Sequence, residues 1–129
     1  MAATAGWTEL EASLKQRLEE LCEEARDFKD PEPTAGAIQA LMGLCQALQP
    51  VLAEKRLAMP QVFLKEGGLL ELMVPNPPIS RRLCVQFGQD GSAFAVSLID
   101  GRGMVDGPFR EAAGTALKPA WLDWLAPPR

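Results

Sequence analysis

Three cysteines, a scatter of carboxylates and a few hydroxyls are the side chains that could do chemistry in this chain, and it contains no histidine to activate them. That absence removes the commonest general base, the commonest metal ligand and the usual titrating group near neutral pH. Ser80, Ser92, Ser97 and Thr115 therefore have no imidazole partner, and no S-x-x-K stands in for one. Cys22, Cys45 and Cys84 are far apart and show no C-x-x-C spacing, so they cannot supply the four ligands of a structural zinc site. Each lies in an apolar row, which predicts small buried hydrophobes and a reducing compartment, taken here as the cytoplasm.

The carboxylates Glu66, Glu71, Asp90, Asp100, Asp106 and Asp123 fall on turns or on the solvent side of strands rather than in a converging pair. No D-x-[DN]-x-[DN]-G loop gathers them for a cation. Gly101-Arg102-Gly103 and Gly88-Gln89-Asp90-Gly91 lack the spacing of a phosphate loop and sit in strand-to-strand turns. The expectation is a protein without catalytic residues, cofactor or metal.

The elements that must position whatever function remains are legible from periodicity. The chain's 129 residues suffice for a single domain spanning 1–129, and 47% apolar with 23% charged residues is a globular balance. Residues 8–28 predict an acidic helix with a heptad seam of Trp7, Leu14, Leu21 and Phe28, supplemented by Leu18 and Ala25, with Glu11 in one slot. Thr8 and Glu11 have capping-box spacing. Asp30-Pro31-Glu32-Pro33 ends that helix, and Thr34 caps a second, over 34–58, kinked near Pro50 and carrying Ile38, Leu41, Met42, Leu44, Cys45 and Leu48.

From residue 59 the period becomes two. Val62 and Leu64, then Leu70, Leu72 and Val74, then Leu83, Val85 and Phe87, then Phe94, Val96 and Leu98 read as strands separated by turns at Gly67-Gly68, Pro75-Asn76-Pro77-Pro78 and Asp90-Gly91. Turns this short make neighbouring strands antiparallel, so 61–106 is a meander with a short fifth segment around Met104-Val105. Residues 107–116 read as a loop, and Pro119 opens a short helix over 119–126. The fold class is α+β: two N-terminal helices packed on a four- or five-stranded antiparallel meander, with a short C-terminal helix.

Charge adds the functional hint. Residues 1–30 hold Lys15, Arg17, Arg26 and Lys29 against Glu9, Glu11, Glu19, Glu20, Glu23, Glu24, Asp27 and Asp30, which accounts for the whole net charge of -4. Without a basic run there is no nucleic-acid surface. No leader pattern and no apolar run of spanning length are seen, so no membrane role is expected. Two partner-binding candidates remain: the acidic residues Glu19, Glu20, Glu23 and Glu24 of the first helix, and the tail pair Trp121 and Trp124. The first predicts a protein-binding module for a basic partner, of the chaperone, adaptor or immunity-protein kind, with a homodimer through the heptad seam as another use of the same helix. The second predicts an accessory subunit held in a larger complex by its tail. A third expectation is a small-ligand pocket between the second helix and the sheet, lined by Met42, Phe63, Phe87 and Phe94.

Overall fold

The computed structural model describes residues 6–128, and the leader expectation, which concerns the first residues, lies largely outside that range. Helix α1 (Trp7–Asp27) and helix α2 (Ala35–Glu54) precede strands β1 (Gln61–Lys65), β2 (Leu69–Asn76), β3 (Arg81–Phe87), β4 (Ala93–Asp100) and β5 (Gly103–Ala112), and α3 (Pro119–Leu125) closes the chain. The strands form one sheet in sequential order, every neighbour antiparallel. This is the α+β meander that the alternating pattern predicts.

Local energetics place the helix ends differently from the sequence expectation. The capping box does not form: α1 starts at Trp7 with Gly6 as its N-cap, so Thr8 already lies inside the helix and has no cap position to fill. Trp7 packs against the core and draws the start back by a residue. Glu11 instead faces Lys15 at 3.8 Å, one turn on. The buried row is Leu10, Leu14, Leu18, Leu21 and Ala25. A straight helix drifts off a strict heptad, and Leu10 takes the slot assigned to Glu11. Phe28 leaves the seam altogether and is 77% exposed. The helix has ended there, because Lys29 adopts φ 58° while the Asp30 N–H reaches the Ala25 carbonyl at 2.8 Å and the Lys29 N–H that of Arg26 at 3.2 Å. That Schellman closure ends the helix before the prolines are reached.

α2 ends by the same device. Arg56 has φ 56°, and the Leu57 N–H donates to the Leu52 carbonyl at 2.9 Å, so the helix stops at Glu54 rather than at 58. It runs as one element through exposed Pro50, whose missing N–H falls on the exposed side. At its start Thr34 accepts from the Ala37 N–H at 3.1 Å, as its capping role predicts. The Thr34 hydroxyl also donates to the Gln89 carbonyl, pinning the helix to the β3–β4 turn. The approach there is backbone to backbone. A Cβ on Gly91, at φ 74°, would lie 2.1 Å from the Gly36 carbonyl oxygen, so both positions need glycine.

Leu70, Leu72, Val74, Leu83, Val85, Phe87, Phe94 and Val96 present one face of the sheet to α1, α2 and α3 and share their core. By length and composition alone α2 could cross a membrane. Here Leu41, Leu44, Cys45, Leu48 and Leu52 are buried in the common core, the position of a central helix.

β5 is the main departure. It runs ten residues, taking in 107–112, where the sequence predicts a loop. Gly107 and Pro108 look like breakers, yet both suit this place: a Cβ on Gly107 would lie 2.6 Å from the Val96 oxygen, the register shifts between Val96 and Leu98, and the strand is at the sheet edge. Edge position and a bulge are where a strand tolerates both residue types.

Candidate interaction surface

The thiols and turn aspartates are engaged in the architecture. Burial raises the Cys45 thiol to about 12, and burial also raises Cys84, with Glu71 adding to it, and Cys22, with Glu32 adding to it. None is a ready thiolate at neutral pH. Asp90 accepts from the Ser92 N–H at 2.9 Å and its hydroxyl at 2.7 Å, which lowers its pKa. Asp100 accepts from the Arg102 N–H at 2.8 Å and Asp106 from the Gly107 N–H at 2.9 Å. These aspartates shape turns. Among the described residues no group of three potential metal ligands converges.

The tryptophan tail is fastened inside the fold. Trp121 is buried and stacks on Phe109 with ring centroids 5.2 Å apart, and the Lys118 ammonium covers the same indole at 5.3 Å. Trp124 is half-buried beneath the Arg81 guanidinium at 4.9 Å, and Arg81 donates to the Trp124 carbonyl at 2.6 Å. Asn76 donates to the Leu125 carbonyl at 2.8 Å, and Lys55 pairs with Asp123 at 3.0 Å. Orphan carbonyls at the end of α3 thus find partners on β2 and β3. Little of Trp121 is left to meet a partner.

The expected aromatic pocket does not assemble. Phe87 is enclosed in the core against Phe94 at 5.9 Å, while Phe63, which alternates with buried Val62, lies on the sheet's other face opposite Glu71, with the Lys65 ammonium 5.7 Å over its ring. A cavity of about 250 Å³ does lie between α2 and residues 113–116, lined by Ala40, Gly43, Leu44, Ala47 and Phe94.

α1 is different. Its seam is consumed within the chain, which withdraws the apolar stripe that a coiled-coil homodimer would need. Glu19, Glu20, Glu23 and Glu24 occupy a sector of about 140° on the other side at 100° per residue, and all four are exposed. The basic residues of the helix are engaged elsewhere: Lys15 with Glu11, Arg26 with Glu32 at 3.7 Å, and Arg17 Nε with the Val62 carbonyl at 3.3 Å. Among the described residues no ion pair reaches the four glutamates. Sequence reading missed the groove beside them. Between α1 and the edge strand β1 lie two neighbouring cavities of about 450 and 300 Å³, which share Arg17 and Phe63 in their linings and are walled on the helix side by Glu20 and Glu24. The meander order already makes β1 an edge strand, but that α1 runs beside this edge is a long-range placement that its residues do not encode.

Compared with protein-family models, curated proteins and solved structures, the chain matches none.

Proposed function

We propose that this chain is a non-catalytic protein-binding module, of the chaperone, adaptor or immunity-protein kind, that engages a basic partner through the exposed acidic face of α1. The observation that carries the reading is the unneutralised set Glu19, Glu20, Glu23 and Glu24. Glu19 with Glu23 and Glu20 with Glu24 are like-charged pairs one turn apart, and such pairs destabilise a helix by roughly 0.2–0.5 kcal/mol each. A surface that works against its own helix gains its value in association, where concentrated charge accelerates encounter with an opposite surface and discriminates against wrong ones. A homodimer through this face would set like charges against each other, so the partner is a different protein.

The test is retention of native partners by the wild-type chain and by a variant with all four glutamates changed to lysine, with circular dichroism showing both folded. Loss of specific partners from the variant supports the reading. An unchanged set of partners rejects it. The apolar cavity between α2 and residues 113–116 favours a second reading, a small neutral ligand, which a thermal-shift screen would reveal as a rise in Tm.

A further inference from the structure

We infer that the partner is captured as an extended basic segment that adds to the free edge of β1 in the groove against α1. This rests on the protein-binding reading above and specifies its mode. β1 ends the sheet, so alternate peptide groups along it face away from β2. The Arg17–Val62 contact identifies which: the Val62 carbonyl points into the groove, and by the two-residue period the backbone of Leu64 does too. A guanidinium at 3.3 Å from that carbonyl stands where the N–H of an added strand would stand. An unpaired edge of this kind is a template for another strand, and a helix wall beside it turns the template into a slot.

Size and charge agree. A strand residue fills roughly 150 Å³ at strand rise, strand spacing and sheet spacing. The two neighbouring volumes, about 450 and 300 Å³, together match about five strand residues, and their linings run along 60–63 and 63–65, the length of β1. Side chains of the added strand alternate, one set toward Glu20 and Glu24 on α1 and the other toward the outer face, where the Phe63 ring lies with the Lys65 ammonium 5.7 Å from its centre. Lysine or arginine on the first side and an apolar residue on the second is the complementary pattern. Phe28, 77% exposed at the far end of the groove, offers a further apolar contact. The opposite edge, β5, is guarded: Pro108 lacks a donor, the Gly107 N–H is taken by Asp106, and the register is bulged. One sheet edge is bulged and interrupted by a proline, and the other carries a single side-chain contact, Arg17 on the Val62 carbonyl, beside an acidic wall.

The test uses the isotope-labelled full chain and a blocked hexapeptide of alternating lysine and valine, followed by NMR titration into the millimolar range. Expected are shifts on both α1 and β1 and slower exchange of the Val62 and Leu64 amides. N-methylating alternate peptide groups on the pairing edge should weaken binding about tenfold or more, through loss of at least one backbone hydrogen bond. Arg17→Ala should strengthen binding about threefold, by freeing the Val62 carbonyl and removing a like charge. Phe28→Ala should weaken binding while leaving the fold intact. Shifts confined to α1 and indifferent to N-methylation would overturn strand addition while leaving the acidic-face reading in place. No shift at any residue up to millimolar peptide would also overturn it, and the lysine-substituted chain would still decide the broader reading separately.

Discussion

The two ends of this chain carry comparable numbers of eye-catching side chains and treat them in opposite ways. At α3 the polar and aromatic groups close on the rest of the molecule: Arg81 on Trp124, Lys118 on Glu111 and Trp121, Asn76 on Leu125, Lys55 on Asp123. At α1 the apolar seam is buried, but Glu19, Glu20, Glu23 and Glu24 stand in solvent with no cation set against them among the described residues. The contrast separates architecture from function. A region whose polar groups are satisfied internally is accounted for by folding, whereas one that holds like charges together breaks a local rule, the kind of exception that motivates the proposed binding role.

The comparison is sharpened first by removing what holds α3. Trp121→Ala deletes a buried ring stacked on Phe109 and should cost about 3–5 kcal/mol in urea unfolding, while the folded fraction keeps its partner affinity. Arg81→Ala removes a guanidinium–indole contact and a hydrogen bond to Trp124, for about 1–2 kcal/mol by the same measurement. A comparable effect comes from alkali. Burial holds Cys45 protonated up to about 12, against an ordinary 9.0, so the unfolded chain loses that proton first. The contribution is fully present below pH 9.0 and declines as pH rises toward 12, by about 1.4 kcal/mol per pH unit. Cys45→Ala should flatten that part of the stability–pH curve. The smallest effect has the opposite sign: Glu19→Gln with Glu23→Gln should stabilise the chain by about 0.2–0.5 kcal/mol while weakening partner binding. If these changes destabilised it instead, the acidic face would belong with α3 as architecture.

Much of the fold was legible because period-two alternation and short turns determine neighbours unambiguously, as at Leu70, Leu72 and Val74 opposite Leu83 and Val85. The helix ends were not, because Lys29 and Arg56 adopt left-handed geometry that propensity disfavours outside glycine, and tertiary packing at Leu57 and Ala25 enforces it. The length of β5 was hidden for a related reason: Gly107 and Pro108 read as a loop until Val96 is seen pressing against Gly107. Of the candidate surfaces, the acidic row followed from helical period alone, since burying Leu14, Leu18 and Leu21 leaves Glu19, Glu20, Glu23 and Glu24 outside. Whether Trp121 packs inward depends on Phe109 lying opposite it, a long-range pairing that local pattern does not encode.

The proposed role of the four glutamates is association and not stability. Its most direct test is the association rate of a retained native partner with the wild-type chain and with the variant carrying Gln at positions 19, 20, 23 and 24, measured across ionic strength. Expected are a wild-type rate at least about tenfold higher at low salt, convergence of the two as salt screens the field, and equal or slightly greater stability for the variant. Rates that coincide at every salt concentration would contradict it.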